Sequence, residues 1–428
     1  MTAYIHIRTL TEGHSDSVRS LAFSRCGRYL ASGSDDKCVI IWRLDDGSIL
    51  YCLLLDSSVT VVFWHPALRD AVIVGCEDGN LCQLRHLRID DFSRKDFDLG
   101  ADGPVHCLEY DTDTRCFALS IGHHVYLAHE SSSGLGASFK VPQPSEELTG
   151  DNSQPRPVRA RGLHFHKKGT TSMLIVSYLH HGVIAWDVQS MTCLWRIWPR
   201  DAPLIGSSAA SPEIKALIIQ TMHKGLFMYL IGGSRPSRGF IVPGRPNEKG
   251  RPLQVRFLEG GSKVICGSNT GEVRMWDTSS GEVFQNLPHG DDIIQSLACF
   301  QGDYSYIAAA PSQKGQNSHI QIWRAKTSGR FLLSRFLQLI GNHSSGTSLS
   351  ANASPMVRMW RTFRSHRFEL DTQDYWRVLF ALATVSTAAV VSAWIAWVAI
   401  VAFPRDLALA YFLLAVSLTG SAIQVKKN

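Results

Sequence analysis

The segment Gly13–Arg43 constrains the fold of this chain more than any other stretch. It begins with the pair Gly13-His14 and ends in an apolar strand that carries Trp42. Between them, Ser32 lies in a short alternating stretch and Asp36 in the polar turn that follows. Side chains of these four types can hydrogen-bond in series, and a buried polar network is stable only when every member is satisfied. The segment therefore predicts antiparallel strands joined by a buried network.

The pattern of Gly13–Arg43 recurs along the chain in weaker form. Strands ending in Trp186, Trp276 and Trp323 are clear copies, and weaker copies end near the positions of Leu84, Leu127 and Tyr229. Positions 42, 84, 127, 186, 229, 276 and 323 are spaced by 42, 43, 59, 43, 47 and 47 residues. Each copy has apolar side chains at every second position between turns, which is typical of strands. A repeat of this period indicates a closed array, here of seven units.

The first segment resembles a WD repeat, with His14, Ser32, Asp36 and Trp42 where that family places its hydrogen-bonded side chains. The resemblance implies an all-β fold, a seven-bladed β-propeller with four antiparallel strands per blade. Only the first repeat keeps the whole network. In this family the strand before the first Gly-His completes the last blade, which suits Tyr4–Leu10. Phe331–Leu337 fits the same place, and the sequence does not decide between them.

The resemblance to a propeller implies a non-enzymatic interaction platform, and no catalytic motif in the sequence points to an enzyme. The ten cysteines are scattered singly, which favours reduced core residues over a disulfide framework or a zinc site. No Gly-x-Ser-x-Gly, His-Glu-x-x-His or paired-carboxylate motif is present. His164 and His166 share a strand face without an evident third ligand, so we expect no metal and no cofactor. The amino terminus lacks the pattern of a signal peptide.

We divide the chain into three parts. Residues 1–330 form the propeller, with an insertion at 131–157 that is rich in Ser, Gly and Pro. Residues 331–376 form a flexible basic linker. Residues 377–428 form a transmembrane helical hairpin, because 378–403 and 407–425 carry no charged side chain and each is long enough to cross a bilayer. Pro404 separates the two predicted helices.

The charges beside the predicted hairpin favour a cytosolic propeller. Arginines precede the first span and two lysines follow the second, and basic residues favour the cytosolic side of a membrane. The linker arginines also suit anionic lipid headgroups; they are Arg358, Arg361, Arg364 and Arg367. The ending Lys426-Lys427-Asn428 is similar to a retrieval signal. We therefore expect an integral membrane protein of the endoplasmic reticulum.

The predicted function is a membrane-anchored scaffold that binds protein partners on the propeller faces. Two basic loops are candidate contacts, with Arg156, Arg159, Arg161, Lys167, Lys168, Arg235 and Arg238 as their residues. No aromatic platform accompanies these residues, so nucleic acid is not an expected partner. The alternative is a guanine-nucleotide exchange factor for a small GTPase. In its order of propeller and then anchor, the chain is similar to the exchange factors that start COPII coat assembly at the endoplasmic reticulum.

Overall fold

Short apolar strands separated by polar turns fold into seven four-stranded antiparallel sheets. The structure is a computed structural model, and it describes residues 3–87, 92–131, 134–144, 156–199, 204–242, 250–312, 315 and 317–327. The first strands of neighbouring sheets contact one another around a complete ring, from the first sheet to the seventh and back. The predicted seven-bladed β-propeller is confirmed.

Each of the first six blades uses four strands that follow one another along the chain. In blades 1 to 3 these are β2 (Val18–Phe23), β3 (Tyr29–Ser34), β4 (Cys38–Arg43) and β5 (Ile49–Leu54); β6 (Val59–Trp64), β7 (Ala71–Cys76), β8 (Leu81–Arg85) and β9 (Ser93–Phe97); and β10 (Val105–Asp111), β11 (Cys116–Ile121), β12 (His124–Ser131) and β13 (Gly134–Lys140).

Blades 4 to 6 repeat this arrangement, and a single 3-10 turn (Glu259–Gly261) follows the first strand of blade 6. Their strands are β14 (Ala160–Lys168), β15 (Thr171–Tyr178), β16 (Gly182–Asp187) and β17 (Cys193–Ile197); β18 (Ile205–Ser211), β19 (Ala216–Thr221), β20 (Gly225–Leu230) and β21 (Pro236–Phe240); and β22 (Val255–Leu258), β23 (Lys263–Cys266), β24 (Glu272–Asp277) and β25 (Val283–Pro288).

Blade 7 closes the ring with strands from both ends of the propeller. It consists of β26 (Ile294–Gln301), β27 (Tyr304–Pro311), β28 (Ser318–Lys326) and, as its outer strand, β1 (Ile5–His14). In the β1–β28 pair, Ile5 lies opposite Arg324 and Leu10 opposite Ile320. The structure thus selects the amino-terminal strand over the alternative at 331–337, which lies outside the described residues. Closure covers two sheet edges that would otherwise remain unpaired.

The hydrophobic core is divided into seven clusters, one at each junction between neighbouring blades. The second and third strands contribute most of the buried apolar side chains because they lie inside each sheet. In β7, β11 and β19 every residue is buried. Burying each large apolar side chain contributes about 1.5–3 kcal/mol. Since the clusters lie between blades, the inner strands are free to carry polar side chains on the central channel.

A polar side chain also bridges every junction close to the channel. Thr60 of blade 2, for example, donates to the carbonyl of Val105 in blade 3 at 2.6 Å. The other six junctions each have such a bridge. Listed around the ring from the junction of blades 1 and 2, they are Ser20–Val62, His123–Val158, His164–Ser208, Gln220–Leu253, Gln254–Leu297 and Gln295–Val18. Apart from His164–Ser208, which joins two side chains, these bonds satisfy backbone groups, as a buried backbone requires.

The strand registers locate the tryptophan position of each blade. Leu30 pairs with Trp42 in blade 1, and the equivalent pairs place Leu84, Trp186, Tyr229, Trp276 and Trp323 in the same position. In blade 3 the equivalent pair is Phe117 with Ala128, so the sequence alignment on Leu127 is wrong by one residue. A small residue suffices there because Phe117 and Tyr110 fill the space with rings 4.5 Å apart.

All ten cysteines are free thiols, but the interpretation of them as core residues is only partly right. Cys76, Cys82, Cys116 and Cys266 are buried, whereas others lie at the surface. The exposed ones are Cys26, Cys52 and Cys193. Two of these are in outer strands, which have one face toward solvent, so an alternating pattern alone does not tell which cysteines face the core.

Several predicted segments lie outside the described residues. In the insertion at 131–157, β13 supplies the outer strand of blade 3, and 145–155 are not described. The linker at 331–376 and the hairpin at 377–428 are also not described, so both remain predictions. Among the residues that the structure does describe, no helix has the length and apolar character to cross a membrane.

Ring closure by β1 predicts different effects of substitution at two positions of this strand. Leu10 is 2% exposed and packs in the cluster between blades 7 and 1. Leu10→Ala should lower the free energy of unfolding by about 2–5 kcal/mol, because it leaves a cavity. Ile5 is 58% exposed in the same strand, so Ile5→Ala should change it by less than about 0.5 kcal/mol. Urea unfolding followed by tryptophan fluorescence measures both, and equal effects would contradict this role of β1.

Candidate functional site: a charged channel mouth

The two faces of the propeller differ in which loops they carry. Every first strand of a blade runs away from one face, which we call the upper face. The loops that lead from each outer strand to the next blade therefore lie on the upper face, together with the turns between second and third strands. The remaining turns lie on the lower face. Side chains at the starts of the first strands surround the upper mouth of the channel.

In blade 1 the structure brings His14, Ser32, Asp36 and Trp42 into one hydrogen-bonded series. Trp42 Nε1 donates to Ser32 Oγ at 2.8 Å, and Ser32 Oγ lies 2.7 Å from His14 Nε2. His14 Nδ1 lies 2.9 Å from Asp36 Oδ2. A neutral imidazole protonated at Nδ1 satisfies the series, donating to Asp36 and accepting from Ser32. The series joins the outer strand of blade 7 to the second and third strands of blade 1.

The environment of Asp36 favours its charged form. Burial opposes ionisation, but the hydrogen bond and charge of His14 and the backbone amides of Cys38 and Ser15 outweigh it and lower the pKa of the carboxyl. The amides lie 2.8 and 2.9 Å from the carboxylate oxygens. The aspartate thus both orients the histidine and caps the turn between β3 and β4.

The other blades replace the network with apolar packing. The position of Ser32 is occupied by apolar or thiol side chains in every other blade, namely Val74, Leu119, Val176, Ile219, Cys266 and Ala309. His289, which follows the outer strand of blade 6, has the position most similar to that of His14. Its Nε2 lies 3.0 Å from the carbonyl oxygen of Ala309, whereas that of His14 meets a serine hydroxyl. Trp186, Trp276 and Trp323 are each buried in a junction cluster. Hydrophobic contact is therefore the common element of all seven blades.

A second buried network, which the sequence pattern did not reveal, joins blades 2 and 3 at the lower face. His65 Nδ1 accepts the amides of Ala67 and Leu68 at 3.1 and 3.0 Å, which leaves the ring proton on Nε2. That nitrogen lies 3.0 Å from Glu130 Oε1, and Tyr110 donates to Glu130 Oε2 at 2.7 Å. Burial, followed by Glu130, raises the pKa of Tyr110 to about 12. The three residues are far apart in sequence, so no local motif connects them.

The channel wall carries a polar ring at one height. Glu109, His164 and Arg256 lie opposite equivalent positions of their second strands, so they share one level of the channel. His164 Nε2 lies 2.9 Å from Ser208 Oγ. Burial raises the pKa of Glu109 to about 7, and Arg256 partly opposes the shift. Burial and then Arg256 lower the pKa of His164 to about 3. The charge of Arg256 therefore changes the pKa of both Glu109 and His164.

The upper mouth has a cluster of basic side chains at blades 3 and 4. Arg159 and Arg161 flank the start of β14, close to His106 at the start of β10. Burial, followed by Arg159 and Arg161, lowers the pKa of His106 to about 4. His180 lies near Arg156 and Arg159, and burial followed by these charges lowers its pKa too. The histidines are therefore neutral near pH 7, and the arginines carry the charge of the mouth.

The structure separates the residues of the two predicted basic loops. Arg156, Arg159 and Arg161 lie at the upper mouth, whereas Lys167 and Lys168 lie at the opposite end of β14. Lys167 Nζ is 3.3 Å from Asp113 Oδ2. The remaining predicted contacts are elsewhere: Arg235 and Arg238 flank the start of β21 on the lower face, and Arg358, Arg361, Arg364 and Arg367 lie outside the described residues.

The histidines at the mouth were absent from the sequence prediction. His106, His123 and His180 lie in three different parts of the chain, and only the propeller register brings them near Arg159. Their position in each repeat could have indicated the mouth, because each histidine lies either at the start of a first strand or in the turn after a second strand. Nowhere in the described ranges do three or more His, Cys, Asp or Glu side chains form a group that could hold a metal ion.

Comparison with known families identifies the first repeat. Residues 5–43 match the family model described as WD domain, G-beta repeat. This segment is similar to a WD repeat. It comprises β1 to β4, the segment that contains the whole His14–Trp42 series and the ring-closing strand. The molecule is thus a seven-bladed β-propeller that contains a WD repeat.

Several proteins to which the chain is similar are named for ribosome biogenesis. The chain is 43% identical over 272 residues to ribosome biogenesis protein erb1 of Emericella nidulans, which covers 59% of this chain and 29% of that protein. It is 40% identical over 75 residues to erb1 of Botryotinia fuckeliana, 17% of this chain and 10% of the relative. It is 36% identical over 94 residues to the BOP1 homolog of Drosophila melanogaster, 22% of this chain and 12% of the relative. The chain thus spans less than a third of the length of these relatives.

These findings correct the predicted location. An integral membrane protein of the endoplasmic reticulum with a cytosolic propeller was expected, and this expectation is wrong. Similarity to proteins named for ribosome biogenesis points away from it. The prediction was based on apolar segments and terminal lysines outside the propeller.

Removal of the Ser32 hydroxyl should destabilise blade 1. Ser32→Ala leaves Trp42 Nε1 and His14 Nε2 without their common partner, at a cost of about 1–3 kcal/mol in unfolding free energy. Ser15→Ala, at an exposed position beside the network, is the matched control and should change it by less than about 0.5 kcal/mol. Urea unfolding of the two variants measures the difference. A cost for Ser32→Ala no larger than for the control would show that the network does not stabilise the fold.

The stabilisation from Asp36 should depend on pH. Its pKa is lowered in the folded protein, so its contribution is present above the ordinary carboxyl value of 3.8 and is lost as pH falls through the folded-state value. Asp36→Asn should therefore be less stable than the wild type by about 1–3 kcal/mol at neutral pH, with a difference that shrinks between about pH 5 and about pH 3.

Thermal unfolding across this pH range measures the difference between the two proteins. Asp102→Asn, in an exposed turn of the upper face, is the control and should follow the wild type at every pH. A difference for Asp36→Asn that stays constant with pH would contradict the role assigned to its charge.

Proposed function

We propose that this chain is a protein-interaction scaffold that works in ribosome biogenesis. The structural observation behind the proposal is a closed ring whose loops from all seven blades surround one channel mouth. Such a ring presents many loops on a rigid support, which suits binding of several partners better than a single small substrate. The role in ribosome biogenesis is inferred from the relatives, because the similarity to erb1 extends over more than half of this chain.

The arrangement of the mouth supports binding over catalysis. Arginines and histidines cluster at blades 3 and 4 of the mouth, and the carboxyl of Glu109 lies about 10 Å deeper along β10, at about 3.3 Å per residue. The exchange-factor alternative has no support from the erb1 and BOP1 relatives, all of which are named for ribosome biogenesis. A scaffold therefore remains the function that best fits the geometry.

The proposal predicts association with ribosome precursors. In cells of the source organism, the tagged full-length chain should co-sediment with precursor particles on sucrose gradients, and its depletion should cause precursor ribosomal RNA to accumulate. Re-expression of the wild-type chain should restore processing, and the destabilised Leu10→Ala variant should restore it less well than Ile5→Ala. Sedimentation only as free protein, with unchanged precursor RNA after depletion, would refute the proposal.

A further inference from the structure

The described loop residues of the upper face fall into two halves of opposite charge. The loops of blades 7, 1 and 2 and the loop entering blade 3 are rich in acidic side chains, with Lys37 as a basic exception. We call this region the acidic half, and its described members are Asp16, Asp35, Asp36, Asp56, Glu77, Asp78, Asp98, Asp102, Asp291 and Asp292. Several of them, such as Asp56 and Asp78, are exposed.

The opposite side of the upper face has no acidic residue among its described loop positions. It extends from the turn after β11 through blades 4 and 5 to the loop entering blade 6. We call this region the basic half, and its described members are Arg156, Arg159, Arg161, Lys224 and Arg251, with His123, His180, His181 and His223. The line between the halves passes through the channel mouth, at blade 3 on one side and between blades 6 and 7 on the other.

The two halves differ in how their charges are neutralised. On the acidic side, Arg19 forms ion pairs with Asp35 at 3.2 Å and Glu77 at 3.1 Å, so its charge is already matched. On the basic side, Arg159 and Arg161 form no ion pair with any described residue, and the Nε of each is buried without a hydrogen-bond partner. A guanidinium group without an ion pair can donate two parallel hydrogen bonds to the carboxylate of a partner.

We infer that the channel mouth binds a segment of a partner protein in which acidic side chains lie next to basic ones. The acidic side chains would meet Arg159 and Arg161, and the basic side chains would lie over the acidic half. This inference rests on the proposed scaffold function and adds the chemistry and the orientation of one partner. Charge complementarity of this kind fixes orientation and accelerates encounter.

A protein segment fits this face better than RNA does. An RNA strand carries a negative charge at every nucleotide, so a strand that crosses the mouth would also pass over the exposed carboxylates of Asp56 and Asp78. The RNA phosphates and these carboxylates repel each other, and this repulsion opposes the attraction between the phosphates and the arginines. A peptide can place charges of either sign along its length. The recessed position of Arg161, partly buried inside the mouth, also suits a single flexible side chain.

Fluorescence anisotropy with labelled probes tests the inference on the full chain. The first probe is a peptide with a glutamate block and a lysine block separated by a Gly-Ser spacer. The second has the same composition with glutamate and lysine alternating, and the third is a single-stranded RNA of similar length. We expect the block peptide to bind at least about fivefold more tightly than the other two and to lose affinity as salt increases.

Paired variants locate the binding site. Arg159→Ala with Arg161→Ala should weaken binding of the block peptide at least about tenfold, and the double lysine variant at these positions should weaken it less. Lys168→Ala with Arg235→Ala removes the same charge from the lower face and should leave binding unchanged. Asp56→Asn with Asp78→Asn should weaken the block peptide but strengthen RNA binding, because it relieves the repulsion.

Three outcomes would overturn the inference. They are equal binding of the block and alternating peptides, tighter binding of the RNA than of the block peptide, or an equal loss of block-peptide affinity in the upper-face and lower-face double variants. Circular dichroism and thermal unfolding confirm that each variant is folded before its binding is compared. If the chain joins ribosome precursors but the arginine variants bind the peptide normally, only this inference fails. If the peptide results hold but the chain does not co-sediment with precursors, the proposed function fails instead.

Discussion

Closure of the ring is the constraint on which the rest of this structure depends. Seven separate hydrophobic clusters are complete only when each blade has a neighbour on both sides. The pairing of β1 with β28 supplies the last contact, and the side chain of Leu10 carries it into the cluster between blades 7 and 1. The His14–Trp42 series strengthens the same junction, since His14 is the final residue of β1. The β1–β28 pairing and the His14–Trp42 series therefore both stabilise the junction between blades 7 and 1.

A core divided among the junctions leaves the centre of the molecule available for polar groups. In a domain with one central core, buried charges such as Glu109 and Arg256 would be costly. Here they line a channel, where each is close to a group that modifies its pKa. The same arrangement exposes the starts of the first strands at the mouth, so that Arg159 and Arg161 can present charge without disturbing packing. The proposed binding surface and the packing surfaces thus lie on different faces of the same strands.

The sequence predicts the fold well because the repeat is encoded locally. Periodic apolar strands and the Trp42, Trp186, Trp276 and Trp323 positions were enough for the number of blades. Local pattern was insufficient where packing decides, as at Ala128, whose role depends on Phe117 of the neighbouring strand. The candidate site was predicted only in part, because charges that meet at the mouth come from separate repeats. Lys167, a member of the predicted basic loop, lies at the far end of β14 because the strand carries it away from Arg159 and Arg161.

The antiparallel closure by β1 has a mechanical consequence. Ile5 and Arg324 are paired at the lower end of blade 7, so the chain enters and leaves the propeller at neighbouring points. Tension applied through those two points would load the β1–β28 hydrogen bonds one after another and peel the strand away, whereas a shearing pull would load all of them together. The ring should therefore resist solvent and heat much better than it resists a pull on its two ends.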